Sequence, residues 1–351
     1  MEESKMENPQ SKISVPESIS DPNSKIESPF DPNQGGNNGG NTVPGNYDPP
    51  TPVPSPTPTP APTPTPTRGG LTDPNKIKVT ITDASAPIII LFGAGASGKT
   101  MTLVRLTRWL LANGYQVEPD RNFRASDSAE YEYMCNIFMD TVNSDYAADR
   151  THQCNFMLIK VRNRYGEPIC QILEAPGEHY FDYKNPQRPF PPYINTIRNS
   201  ANPKTWMFIV EKDWIPEQEK NDASNSEMDF AKIRRNYAEK VLAMQGQIRP
   251  DDRVIFTCHK ADKHPGLFYA GRPNTAQFFK EVKEQYPGIF TRYENKNPIS
   301  RLWRKYNFDF VIFSAGNFND TYEGGQFYTE SPNQYPAALW KSIMKTVKGG
   351  W

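Results

Sequence analysis

Apolar positions along the chain fall into short runs separated by longer polar, helix-patterned stretches. "PIIILF", Pro87 to Phe92, is a continuous apolar run of the kind buried on both faces of a parallel sheet. "TWMFIVE" (205–211), "RVIFTC" (253–258) and "FDFVIFSAG" (308–316) repeat that pattern. "CNFMLIKVRN", then "RYGEP", then "ICQILEAPG" predicts a hairpin or a pair of adjacent strands. "IKVTIT", from Ile77, alternates like an edge strand. Between these runs, "MTLVRLTRWLLANG" has helical spacing and an Asn113-Gly114 stop. "MDFAKIRRNYAEKVLAMQ", "TAQFFKEVKEQY" and a closing "PAALWKSIMKTV" predict three further helices. Strands alternating with helices predict a three-layer α/β sheet, mostly parallel.

Composition divides the chain unevenly. Residues 1–75 contain "GGNNGGN" and "PPTPVPSPTPTPAPTPTPT", which offer almost nothing to a core. Proline fixes φ and removes amide donors, so this segment is expected to be a disordered tail with an extended polyproline-II spacer. The folded domain is expected over 76–351. The 40 basic residues balance 40 acidic ones. That removes any global electrostatic case for nucleic acid or an anionic membrane surface. No apolar stretch approaches the roughly 20 residues needed to span a bilayer. Cys135, Cys154, Cys170 and Cys258 form no C-x-x-C pair, which fits buried thiols in a reducing compartment. With no apolar signal core in "MEESKMENPQ", a cytoplasmic location is expected.

The chemistry concentrates after the first apolar run. "LFGAGASGKT" contains Gly93-x-x-x-x-Gly98-Lys99-Thr100, between a predicted strand and a predicted helix. Gly93, Gly95 and Gly98 let the backbone of Gly93, Ala94, Gly95, Ala96, Ser97 and Gly98 curl so that its N–H groups surround a phosphate. The helix N-terminus at Lys99, Thr100 and Met101 adds its dipole. Lys99 is expected to reach the β/γ-phosphates and the Thr100 hydroxyl to ligate Mg²⁺.

Three later segments bear on the base and the reaction. The run "ICQILEAPGEHY" ends in Glu174-Ala-Pro-Gly177. Thr151 stands 23 positions before Glu174, at the expected start of a strand. "CHKAD" places His259, Lys260 and Asp262 at a strand end, and "FSAG" does the same for Ser314, Ala315 and Gly316. In this order after a phosphate loop, the set resembles a Ras-like P-loop GTPase of the TRAFAC class over roughly 77–349. The His-Lys-x-Asp form is similar to the base-reading motif of the Rag-type branch. The resemblance implies bound GTP or GDP, with Asp262 accepting from guanine N1–H and N2–H₂ and Lys260 packing its stem beside the base. It implies backbone amides of Ser314-Ala315-Gly316 near guanine O6, and Mg²⁺ held by Thr100, Thr151 and Glu174. It also implies γ-phosphate sensing by Gly177.

The departures from that pattern matter. Glu174 replaces an Asp, which shifts the metal contact. Glu178 stands where Ras-like enzymes carry a Gln to orient water, and His179 falls one position late. Hydrolysis of GTP is therefore expected to be slow without a partner, with Lys99, Thr151, Gly177, Glu178 and His179 as the catalytic candidates. A pseudo-GTPase scaffold and a P-loop ATPase of another branch are the alternatives. Extra length lies at 115–150, 180–204, 217–230 and 264–300. The Tyr-, Phe- and Pro-rich stretch 178–204 suits either an effector-binding loop or a loop packed onto the body by its rings.

Overall fold

A computed structural model describes residues 73–125, 128–144, 156–216, 219, 226–320 and 326–348. These fall within a compact unit running from Pro64 to Trp351. The elements in chain order are β1 (Ile88–Phe92), α1 (Lys99–Ala112), β2 (Gln116–Pro119), α2 (Ser128–Val142), β3 (Met157–Arg162), β4 (Pro168–Glu174), α3 (Gly177–Tyr180) and α4 (Pro192–Asn199). They continue with β5 (Lys204–Glu211), α5 (Glu227–Gln245), β6 (Arg253–His259), β7 (Phe268–Tyr269), β8 (Arg272–Pro273) and α6 (Thr275–Gln285). The last are α7 (Pro298–Trp303), β9 (Asp309–Ile312), β10 (Gly316–Asp320), β11 (Gln326–Glu330) and α8 (Gln334–Val347).

Seven strands form one sheet in the order β2-β3-β4-β1-β5-β6-β9. The pairs β4–β1, β1–β5, β5–β6 and β6–β9 are parallel. Strand β3 runs antiparallel to both neighbours. Helices α1, α2 and α8 pack together, and α5 packs with α6. Right-handed crossovers place these groups on opposite faces, giving three layers. All eight residues of β5 are buried, as expected for a central strand covered on both sides.

β1 lies between β4 and β5. From β1 the chain crosses to the sheet edge at β2, returns inward through β3 and β4 to lie beside β1, and then winds outward on the other side through β5, β6 and β9. The C-terminal end of β1 is therefore the switch point where an open α/β sheet has its crevice. The loop after β1 is the one with the Gly-x-x-x-x-Gly-Lys-Thr sequence.

The hairpin forms as its sequence predicts. Asn163 accepts at Oδ1 from the Tyr165 and Glu167 amides, and Gly166 takes φ +83°. "IKVTIT" departs from expectation. Its burial alternates from Ile77, but the Thr80 amide donating to the Phe123 carbonyl is its one ladder-like contact among the described residues. An extended segment with one such bond lies against the body without joining the sheet.

Candidate nucleotide site

The phosphate loop is built by its backbone. Gly98 caps α1 in the left-handed region, φ 85° and ψ 16°, with no side-chain cap. The first helical amides, from Lys99 onward, are thus left to an external acceptor. Ala96 also has positive φ, 56°. Gly93 has no room for a side chain: a Cβ there would lie 2.8 Å from Ser97 Oγ and 3.0 Å from Ile209 Cβ. Met101 is buried on the following turn.

Lys99 is buried, and its ammonium donates to the Gly93 and Ala94 carbonyls at 3.2 and 2.9 Å. Burial pulls its pKa down, opposed by the carboxylates of Glu174 and Glu178. Thr100 donates a short hydrogen bond to Glu174 Oε1 at the end of β4. Burial pushes Glu174 up to about 7, against the pull of the Thr100 hydroxyl and the Lys99 ammonium. Its Oε2 is buried and has no hydrogen-bond partner among the described residues. Hydroxyl and carboxylate oxygens suit a hard divalent cation, and the orphaned Oε2 is a donor that such an ion would satisfy. Among the described residues no group of three or more His, Cys, Asp or Glu side chains is placed to hold a metal ion by itself. Thr151, the third expected ligand, lies outside them.

The His259–Asp262 segment is tied to this loop. His259 ends β6 and is 2% exposed. Its Nδ1 is 2.9 Å from the Ser97 carbonyl, so it carries the proton and donates. The Thr102 hydroxyl stands beside the ring at 3.3 Å and donates to the Gly98 carbonyl. Burial drives the imidazole down to about 3, so the ring is neutral. Lys260 follows in the left-handed region, φ 53°, and its ammonium reaches the Ala96 carbonyl at 2.7 Å. The Glu211 carboxylate, at the end of β5, holds the same ammonium at 2.7 Å. Glu211 escaped the sequence reading, although an acid closing an apolar parallel strand is a visible signal.

Asp262 is exposed and accepts a short hydrogen bond from the Ser314 hydroxyl. The Ala315 carbonyl accepts from the Ser331 amide at 3.0 Å and the Tyr328 hydroxyl at 2.5 Å. Gly316, φ +140°, leads directly into β10; a Cβ there would lie 2.1 Å from the Thr329 carbonyl oxygen. The β10–β11 hairpin thus fixes the loop at Ser314, Ala315 and Gly316. Arg105 of α1 anchors that hairpin, donating to the Ser331 carbonyl and to Asn333 Oδ1, both at 2.7 Å, and pairing with Glu330 at 3.2 Å.

The turn after β4 divides its candidates. Gly177 lies on the phosphate loop, and Glu178 projects over Gly95. His179, expected beside the reacting water, points the other way. One helical turn, Gly177–Tyr180, rotates its ring inward, where Nδ1 meets the Tyr193 hydroxyl at 2.8 Å and the ring packs near Phe156. Burial lowers its pKa to about 4. Much of the aromatic content of 178–204 is likewise seated on the body: Tyr180 packs on Phe92, and Phe181 on Trp214 and Tyr237. That favours the packed-loop reading of its rings over an aromatic docking surface.

Fold and loop together define a three-layer α/β protein with a phosphate-loop turn at the switch point of its sheet. No protein-family model matches the chain, and no curated protein does. Among solved structures it is similar to nucleolar GTP-binding protein 1 of Plasmodium falciparum, at 14% identity and TM-score 0.35, over 78% of this chain and 91% of that one. It is similar to the S. cerevisiae Ski7 GTPase-like domain bound to GDP and inorganic phosphate, at 12% and 0.37, over 76% of this chain and only 50% of that one. A third is the signal recognition particle receptor SRb-GTP/SRX complex of Chaetomium thermophilum, at 11% and 0.32, over 74% of this chain and 98% of that one. No helix among the described residues is long and apolar enough to cross a membrane.

Proposed function

We propose that the protein binds guanine nucleotide as a molecular switch and hydrolyses GTP slowly. One observation carries this reading: the segments at the C-terminal ends of β1, β4, β6 and β9 are bonded to one another along one edge of the sheet. Thr100 joins Glu174, His259 joins Ser97, Lys260 joins Ala96, and Ser314 joins Asp262. The loop amides and Lys99 bind the phosphates, and Lys260 supplies the side wall for the base. Asp262 selects guanine because adenine has no matching donor pair, which would leave the carboxylate unpaired. Thr100 and Glu174 would hold Mg²⁺, with Thr151 as a third candidate. The ion would neutralise charge on the phosphate oxygens when bound.

The test is competition against a fluorescent guanine nucleotide. GTP and GDP should displace it, ATP should not, and Asp262→Ala should weaken guanine binding about tenfold or more in a protein that still unfolds cooperatively. Equal competition by ATP would overturn the reading. A second reading, a nucleotide-binding scaffold without turnover, is favoured by His179 facing Tyr193 instead of the loop. Multiple-turnover phosphate release from GTP, abolished in Lys99→Ala, would exclude it.

A further inference from the structure

Two backbones meet where a terminal phosphate needs room. A Cβ on Gly177 would lie 2.1 Å from the Gly95 nitrogen, and 2.2 and 2.4 Å from the Ala94 carbonyl carbon and oxygen. The turn after β4 therefore rests in van der Waals contact on the middle of the phosphate loop. One residue on, the Glu178 carboxylate covers Gly95: Oε1 is 2.5 Å from where a Gly95 Cβ would stand. This carboxylate also acts on Lys99, whose charge it stabilises. Arg188 holds the turn in place, donating to the Glu178 main-chain carbonyl and pairing with Asp182 at 3.6 Å.

The loop sequence assigns the Lys99 ammonium to the β/γ-phosphates and makes the Gly95 amide one of the backbone N–H groups that cradle phosphate. An internal carboxylate over them presents the same kind of oxyanion that a terminal phosphate would bring, at lower charge. We propose that Glu178 is an internal competitor of the terminal phosphate. It sets a preference for nucleoside diphosphate over triphosphate, which is relieved when the 177–182 turn lifts. This rests on the nucleotide-binding reading above. It makes Glu178 a specificity-determining residue in place of a water-orienting one. A diphosphate leaves the carboxylate seated; a triphosphate must displace it against charge repulsion and lift Gly177 from Ala94 and Gly95.

The experiment is a paired titration with GDP and a non-hydrolysable GTP analogue, on the full chain and on Glu178→Gln and Glu178→Ala. The parent should bind GDP more tightly. Glu178→Gln keeps the side-chain shape and removes its charge. It should tighten the GTP analogue about tenfold and leave GDP within twofold, an effect of about 1.4 kcal/mol that lies between the values for one charge at contact distance in bulk water and near a protein surface. Glu178→Ala should do at least as much. Melting curves of both variants should match the parent, since the side chain is exposed. Guanine nucleotides that bind with the same GDP-to-GTP ratio in all three proteins would overturn the proposal and leave the binding reading standing. Loss of binding to every nucleotide in all three would sink both.

Discussion

His259→Asn tests the link between the two loops through pH. The imidazole is 2% exposed, and burial brings it from an ordinary 6.5 to about 3. The folded value lies below the unfolded one, so below pH 6.5 the unfolded chain binds the proton and the folded chain does not. The stability concerned is fully present above pH 6.5 and is lost as pH falls towards 3. At 1.36 kcal/mol per pH unit, the 1.5 units from 6.5 to 5 amount to about 2 kcal/mol. His179, lowered to about 4, adds a similar loss at pH 5. Glu174 works in the opposite direction, because its folded value of about 7 exceeds the ordinary 4.5 and the folded state gains as pH falls through that interval. Both of those contributions are shared by parent and variant, so they cancel in the difference. Asparagine keeps a donor for the Ser97 carbonyl and has no titration of its own. Urea unfolding of both proteins at pH 7.5 and 5.0, in EDTA, should show the variant losing about 2 kcal/mol less than the parent. Equal losses would refute the buried, neutral imidazole and with it the His259–Ser97 bond as described.

Two further substitutions probe backbone contacts. Gly177→Ala places a methyl against the backbone of Ala94 and Gly95. It should cost about 1–3 kcal/mol by overpacking, read by chemical denaturation; an unchanged midpoint would mean that the turn does not sit on the loop. Gly316→Ala combines a left-side φ of +140° with a contact of 2.1 Å to the Thr329 carbonyl oxygen. A loss of about 2–4 kcal/mol by the same measurement is expected, and a loss below 0.5 kcal/mol would contradict the tight entry into β10.

Much of this arrangement is visible in the chain. Continuous apolar runs locate β1, β5, β6 and β9, because strands covered on both faces have no polar side to show. The glycine spacing after β1 locates the phosphate loop. Helix α2 lay in a stretch read as extra length, yet its signal was present: Tyr131, Met134, Cys135 and Phe138 follow helical spacing and are all buried. The β10–β11 hairpin left little trace, since its strands are five residues each and its function is to fix Ala315 through long-range bonds. The inward turn of His179 depends on Tyr193 and Phe156 arriving from elsewhere, and no local pattern encodes that meeting. Glu178 over Gly95 is illegible for the same reason: the two residues are 83 positions apart.

Arg105 has a consequence for synthesis. It lies early in the domain, yet its partners Ser331 and Asn333 come more than two hundred residues later. A chain leaving the ribosome can form β1, the phosphate loop and α1 while Arg105 still lacks every one of those partners. Domains acquire structure from the N-terminal end during translation, and here the guanidinium must wait in water until the hairpin emerges. The loop at Ser314 is completed in the same late step, since the Ser331 hydroxyl bonds the Ser314 carbonyl at 2.6 Å. The loop after β9 therefore reaches its final geometry only once β11 and the residues just after it have emerged.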